Sequence, residues 1–548
     1  MQIEQAIVEI FLDEGVTTVF GLPGIQLVRL YDALREAGKI THILFKHEQG
    51  VGFAGLGYSL VKNVPAVCLV MPGPGVANIV SAVAEAFYQS VPLVVITIDT
   101  PQKNLGLGVF HELNSKALFS SIVKKVLIPE DTRQILEVLR KGFSVAKSGR
   151  PGPVLISLPS NLFGKEVRKI PGKFTRKNPR IKKEDVVRVA DLLASSKNPL
   201  IWAGEGVIRA GASDLLYQLA EILQAPVMTN LSGRGAFDET HPLAMRVPIY
   251  DLPLHTLEGT DLLLAIGIKL TTWNTTGYSL PVPKNLIQVD NEPEKRCRYK
   301  KALEIKACPR EFLVELLGEL DGKIKKEKRE NVVLENFKKS LRGYQDYWKP
   351  IASKETPTVT PPRFFRELIE YLGGKEFIYV TDYTWVLHCY QSPAISDKAF
   401  HISIGSFGCL GLALPAAIGA ALASPEKLIV SISGDGSFLF NCQELSTAAH
   451  LNLNNLIQVV LVNSGYGSIR NFQKLFCGGR TIGVDWRSID FVKIAEGMGV
   501  KGFFVREPHE IRTALEGAQK GPALIAVEVE NISPMSESVI RDLAKRML

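Results

Sequence analysis

Short, mostly apolar runs recur along this chain, and most of them close on glycine, proline, asparagine or aspartate. Runs at 16–22, 42–46, 66–71, 93–98 and 154–158 alternate with stretches of helical spacing at 25–37 and 76–87. A few apolar residues ended by such a turn predict a strand buried on both faces, and strands alternating with helices predict a parallel sheet with helices on both sides. The pattern returns at 199–203, 225–230, 261–266 and 286–290, with a helix over 212–223. It returns again at 377–381, 428–432, 456–462 and 523–529, with helices from 415 and over 491–497. The expected fold class is therefore α/β, with three doubly wound parallel-sheet domains at 1–165, 186–320 and 361–548. A basic linker at 166–185 joins the first two. A second linker at 321–360 begins in a Lys/Glu-rich run and ends in TPTVTPP.

Composition changes this picture little. Hydrophobic residues make up 46% of the 548 residues and charged residues 22%, as in ordinary globular chains. No apolar run reaches the ~18 residues that a membrane span needs. The start, MQIEQAIVEIFLDEG, reads as an acidic amphipathic helix rather than a signal peptide. The seven cysteines show neither metal nor disulfide spacing, so a cytoplasmic protein with reduced thiols is expected. The net charge of +8 is concentrated at 165–185, which holds nine Lys/Arg against three acids. That stretch contains Pro171 and Pro179 and lacks an interleaved series of aromatics, so it reads as a solvated linker rather than a nucleic-acid surface. Neither nucleic acid nor membrane is expected as a partner.

The candidate chemistry gathers at 427–470. Two strand-like runs, 428–432 and 456–462, lead into Gly434-Asp435-Gly436-Ser437 and Asn463-Ser464-Gly465. Successive parallel strands put both turns on one edge of a sheet, where open α/β sheets bind ligands. Asn441 and Glu444 have the spacing of a capping box for the intervening helix. Asp435 offers a carboxylate, Asn463 an amide oxygen and Gly465 a backbone carbonyl. Three hard oxygens, with the rest of the shell left to phosphate and water, suit Mg²⁺. Gly434 and Gly436 let the backbone approach a diphosphate.

GDGS followed by Asn463 and then Tyr466-Gly467 resembles the diphosphate-binding signature of thiamine-diphosphate (ThDP) enzymes, with VNSG where that family often has two adjacent asparagines. The stretches VFGLPG, KHEQGVGFAGLGYS, MPGPGVANIVSAVAEAFYQSVPLVVIT and GRPGPVLISLP resemble the pyrimidine-binding domain of its acetolactate-synthase-like branch. The resemblance implies that Asp435, Asn463 and the Gly465 carbonyl hold Mg²⁺, and that Gly434, Gly436 and Ser437 line the diphosphate. It gives Glu48, in KHEQG, the role of a protonated carboxylic acid beside the aminopyrimidine ring, which calls for a desolvated place. Leu410, among Gly405, Gly408 and Gly411, aligns with the bulky residue that supports the bent cofactor. Pro23 and Asn78 are further cofactor contacts on the same ground. His111, in GLGVFHELNSK, stands where acetolactate synthases usually have Gln and several decarboxylases of the wider family have His. A proton-transfer role at the substrate and an ordinary loop histidine both remain open for it.

The central stretches LIWAGEGVI, QAPVMTNLSGRGAFDETHPL and DLLLAIG resemble the domain that holds FAD in acetolactate synthases. Two features differ on that side. Val247-Pro248-Ile249-Tyr250 replaces a Gly-Met-His-Gly-like turn, and Lys269-Leu270-Thr271-Thr272-Trp273 replaces an Arg-containing segment. FAD and an empty or ADP-type site are both left open. The resemblance implies a homodimer or homotetramer with each site closed by two chains. The implied activity is decarboxylation of a 2-oxo acid, pyruvate in the leading reading, with carboligation to a second carbonyl. The segment 466–480 is also similar to ThDP enzymes encoded with sugar and surface-polysaccharide genes. The alternatives are a simple 2-oxo acid decarboxylase, a C–C hydrolase of a cyclic diketone, and a non-catalytic cofactor-binding regulatory paralogue.

Overall fold

Among the described residues eighteen strands form three six-stranded sheets, and every pairing within them is parallel. The structure is a computed structural model. It describes all residues except 168–171, 175–179, 247–256, 273, 276, 293–298, 300–301, 325–330, 354–356, 384–392, 534–536, 538–540 and 542–548. The 247–250 turn, Trp273, part of the basic linker, the end of the Lys/Glu-rich run and most of the C-terminal tail thus lie outside the described residues.

The first sheet contains β1 (Thr18–Gly21), β2 (Thr41–Leu44), β3 (Ala66–Leu69), β4 (Leu93–Asp99), β5 (Lys125–Leu127) and β6 (Val154–Pro159), in the order β2-β1-β3-β4-β6-β5. The second contains β7 (Pro199–Ala203), β8 (Val227–Thr229), β9 (Ala244–Met245), β10 (Leu262–Ile266), β11 (Asn285–Asp290) and β12 (Leu303–Lys306), in the order β12-β11-β10-β7-β8-β9. The third contains β13 (Phe377–Thr381), β14 (Ala399–Ser403), β15 (Leu428–Gly434), β16 (Leu456–Val462), β17 (Lys501–Val505) and β18 (Ala523–Glu528), in the order β14-β13-β15-β16-β18-β17. The outer sheets share one strand order, a closer kinship than their α/β class alone implies. Central strands such as β4, β6 and β16 are buried along their whole length, which is why they read as largely apolar runs without alternation.

The two outer domains meet at a helix crossing with almost no side-chain layer. Helix Glu48–Lys62 of the first lies on helix Ala413–Ala423 of the third. A Cβ at Gly57 would run into the Ala416 carbonyl, and one at Gly419 into the Ala54 carbonyl. One apolar core runs through this seam, from Phe20 and Phe53 to Ile418 and Val460. The central domain keeps a core of its own.

The 321–360 stretch, expected as a linker, carries the long helix Val332–Ser353. Its Val333, Leu334 and Phe337 plug into the central core, so a segment that reads as charged is anchored at one end. Among the described residues no helix is long and apolar enough to cross a membrane.

Candidate functional site

The turn after β15 carries Asp435 at the start of a single helical turn, Asp435–Phe438, with its side chain 1% exposed. Its Oδ1 accepts the Gly436 amide at 2.9 Å and its Oδ2 the Asn463 amide at 3.2 Å, with further amides from Ser464 and Gly465. Burial pushes this carboxyl above the usual range, and the amides pull it back only in part. Asn463 sits at the end of β16. Its Nδ2 reaches Asn531 at 3.5 Å, while its Oδ1 is buried with no hydrogen-bond partner. An orphaned buried acceptor beside a buried carboxylate is a costly arrangement that a cation would relieve.

The backbone around this pair is committed. Arg470 donates to the carbonyls of Asn463 and Ser464 at 3.3 and 3.1 Å and pairs with Asp485 at 2.6 Å. The Gly465 carbonyl accepts only the Gly467 amide, at 3.0 Å, among the backbone bonds of this turn. Tyr466 and Trp486 close over Gly436, where a Cβ would lie 2.7 Å from the Tyr466 ring. The donors are thus a carboxylate, an amide oxygen and a carbonyl, and no group of three His, Cys, Asp or Glu gathers among the described residues. That chemistry fits a hard cation such as Mg²⁺, which shares its shell with phosphate, and not a zinc site.

Ser437 is turned inward. Its hydroxyl donates to Asp382 and accepts the Gly411 amide at 3.0 Å. Asp382, at the end of β13, accepts the amides of Leu412 and Ala413 at 3.3 and 3.2 Å, at the start of helix Ala413–Ala423. Burial pushes its carboxyl up to about 6. Leu410 is half-buried just before this cap, and Gly408, with φ +78°, takes a backbone shape that a side chain would strain.

Glu48 opens helix Glu48–Lys62 and is 5% exposed. Its Oε2 accepts Asn78 Nδ2 at 3.0 Å, and its Oε1 faces Gly75, where a Cβ would lie 2.9 Å away. The glycine-rich turn after β3 is therefore what makes room for this acid. His111 has φ +65°, and its backbone packs on Gly73 of the same turn. Its Nδ1 lies 3.3 Å from Gln26, and Phe110 stacks on its ring at 3.7 Å. Glu48, Asn78 and His111 thus share one wall. Pro23 is exposed beside Gly24, which presses on Met71. Within one chain, among the described residues, no hydrogen bond or ion pair joins Glu48 to Asp435 or Asn463.

The capping box expected at Asn441 and Glu444 does not form. Asn441 Nδ2 instead donates to the Gly411 carbonyl and to Gln49 Oε1, both at 2.8 Å. The fully buried Glu444 accepts the amides of Lys46 and His47 at 3.1 and 3.2 Å and the Thr447 hydroxyl at 2.7 Å. Burial pushes its carboxyl up, with the Thr447 and Lys46 bonds opposing. Glu85, also fully buried, accepts the amides of Gly405 and Cys409. Burial, then the Glu85 charge, push the Cys409 thiol up. Spacing along the chain gives no signal for these cross-domain bonds.

Family models for the N-terminal, central and C-terminal domains of thiamine pyrophosphate enzymes match residues 1–118, 186–316 and 380–527. A probable acetolactate synthase large subunit of Methanococcus aeolicus is 32% identical over 94% of this chain and 89% of its own. The chain belongs to the thiamine pyrophosphate enzyme family. The acetolactate synthase isozyme 3 large subunit of Escherichia coli K12 is 29% identical over 97% of this chain and 96% of its own. The solved structure of a Rhodococcus jostii RHA1 thiamine diphosphate-dependent 4-hydroxybenzoylformate decarboxylase is similar, with a TM-score of 0.83 and 25% identity over 97% and 99% of the two chains. This thiamine pyrophosphate enzyme therefore shares fold and domain series with both synthases and decarboxylases. On the FAD side, 247–250 and Trp273 lie outside the described residues. Of the described residues on that side, Lys269 donates to the Tyr88 carbonyl, Leu270 is buried in the central core, and Gly204-Glu205-Gly206 after β7 packs on Gly267 and turns the Glu205 carboxylate to Asn230 at 3.2 Å.

Proposed function

We propose that the chain uses ThDP and Mg²⁺ to decarboxylate a 2-oxo acid, pyruvate first, and joins the remaining two-carbon unit to a second carbonyl, as an acetolactate synthase does. The names of the relatives that align over nearly the whole chain support the reaction class. The observation that carries the reading is the buried Asp435 carboxylate touching Asn463, whose amide oxygen has no partner.

Asp435, Asn463 and the Gly465 carbonyl would hold the ion, and the amides after Gly434 would face the diphosphate. When bound, the coenzyme supplies the electron sink for loss of carbon dioxide. Glu48, walled in by Gly75 and Asn78, would present a carboxyl oxygen to the aminopyrimidine away from bulk water. His111 offers a ring nitrogen for proton transfer on the same wall. Leu410 backs the cofactor, and Pro23 and Asn78 border it. No flavin step is part of the proposal.

A homodimer or homotetramer belongs to the same reading. No hydrogen bond or ion pair joins Glu48 to the Asp435–Asn463 pair within one chain among the described residues, and large apolar side chains such as Ile25 (85%), Phe110 (78%) and Ile482 (83%) stand exposed. The domain limits given above and a cytoplasmic setting with reduced thiols are also proposed. The free cysteines Cys68, Cys308, Cys409, Cys442 and Cys477 are consistent with that setting.

A panel of 2-oxo acids with Mg²⁺ and ThDP, with products identified by mass, tests the proposal. An acyloin acid from pyruvate is expected. Binding of the cofactor with no turnover of any 2-oxo acid would overturn it. The similarity to a decarboxylase, together with His111 on the Glu48 wall, favours a second reading, release of an aldehyde alone, which the same panel separates.

A further inference from the structure

Leu410 lies between two fixed backbone amides, one held from each outer domain. Downstream, Gly411 donates its amide to Ser437, and Leu412 and Ala413 donate theirs to Asp382, all within the third domain. Upstream, the holding group crosses the seam. Glu85, on helix Val80–Tyr88 of the first domain, accepts the Gly405 and Cys409 amides on its two carboxylate oxygens, the latter at 3.0 Å. Gln89, one turn on, donates to Glu85 at 3.0 Å and to the Ser403 carbonyl at 3.0 Å. The Cys409 thiol donates to the Ser81 carbonyl at 3.3 Å on the same element. Gly405 has no room for a side chain against Gln89 and Glu85.

A carboxylate with no exposed surface is expensive unless each oxygen is satisfied. Here the satisfying donors are two backbone amides from another domain and one side-chain amide. An ordinary packing position on this helix face would be filled by an apolar residue at lower cost. Between the fixed points, Ser406, Phe407 and Gly408 are exposed, so without Glu85 this part of the segment has little else to hold it. Phe407 has one further tie, stacked on Tyr88 of the same helix at 5.3 Å.

We propose that Glu85 is a positioning residue that fixes the 405–411 segment, and through it Leu410, against the first domain. The arrangement has a counterpart in the opposite direction, since Glu444 of the third domain holds the amides just before Glu48. The step from segment to chemistry rests on the reading of Leu410 under the proposed function.

The test uses the full chain with Glu85→Gln, Glu85→Ala, Leu410→Ala and the double variant Glu85→Ala/Leu410→Ala. In cofactor-free protein, amide exchange over 405–413 is expected to rise about tenfold in Glu85→Ala, with helix Glu48–Lys62 still protected. At saturating ThDP and Mg²⁺, kcat is expected to fall about ten- to hundredfold while the half-saturating ThDP concentration moves less than about threefold. The Glu85→Ala and Leu410→Ala effects on kcat are expected to be non-additive. Glu85→Gln keeps the shape and carries the same readouts if the alanine variant does not fold. Unchanged exchange over 405–413, or a kcat loss equal to the loss of folded protein and additive with Leu410→Ala, would overturn the assignment. If the wild-type chain turns over no 2-oxo acid, the functional reading fails, and the exchange measurement alone decides the positioning role.

Discussion

Glu444 accepts the backbone amide of His47 at 3.2 Å across the boundary between the third and first domains, one residue before Glu48. The bond sets where helix Glu48–Lys62 begins, because His47 is its N-cap and accepts the Gln49 amide at 3.1 Å. Glu444→Ala leaves two part-buried amides, those of Lys46 and His47, without this acceptor, at about 1 kcal/mol of stability. A Cβ at Gly50 would lie 2.8 Å from Glu444, so the helix end is free to settle into the vacated space. Turnover is therefore expected to fall by more than the change in urea midpoint explains. Parallel measurement of kcat and unfolding checks this, and equal losses would contradict it.

Two inactive chains are expected to repair each other. Glu48→Gln and Asp435→Asn each remove one end of the proposed site, and each is expected to lower turnover about a hundredfold or more. Mixed and reassembled at equal amounts, they form heterodimers with one intact site, and activity returns to about a quarter of wild type. No recovery in a mixture shown by mass to contain heterodimers would place both residues in one chain's site.

Asn463→Ala removes an acceptor that has no protein partner. The metal-free chain is expected to keep its stability within about 1 kcal/mol. The added stability on titrating Mg²⁺ with ThDP is expected to shrink, and half-saturating Mg²⁺ to rise about tenfold or more. Melting curves across a Mg²⁺ series measure both, and an unchanged Mg²⁺ response would remove Asn463 from the ion's shell.

Asp382 gives the chain a pH dependence. Its carboxyl sits at about 6 in the folded state through burial, against about 3.9 when unfolded. Between about pH 4 and 6 the unfolded chain has lost this proton while the folded chain still holds it, so stability falls as pH rises, by about 3 kcal/mol from this group. Below that window the penalty is absent. Asp382→Asn is expected to gain on wild type as pH climbs from 4 to 7, read from urea unfolding at each pH. A constant difference would show that the group does not titrate there.

Gly57→Ala or Gly419→Ala places a methyl on a facing backbone carbonyl. Backbone cannot rotate aside as a side chain can, so a loss of about 3 kcal/mol or more is expected. Calorimetry checks this, with Gly343→Ala, in open space on helix Val332–Ser353, as the control that should stabilise slightly.

The strongest elements were legible because their cause is local. β15 and β16 are mostly apolar and closed by Gly-Asp-Gly and Asn-Ser-Gly, so the edge holding Asp435 and Asn463 followed from order alone. The short edge strands were not legible. Lys125–Leu127 has three residues, and Lys501–Val505 has a single buried position, Val505, and no alternation. Asn441 and Glu444 have the right spacing for a local cap, yet partners some 390 to 400 residues away in the chain take their side chains. Glu85 looks like any acid on an amphipathic helix until the third domain's amides are placed beside it. Pairings of that separation are set by the docking of whole domains, which no window of sequence contains.

The backbone-to-backbone crossing at Gly57 and Gly419 leaves nothing to trim or enlarge between the outer domains. Their spacing within one chain therefore cannot be tuned by gradual substitution. Any redesign toward a bulkier or smaller substrate has to be written into the peripheral loops at 72–75, 105–111 and 405–410, while the hinge of the architecture stays as it is.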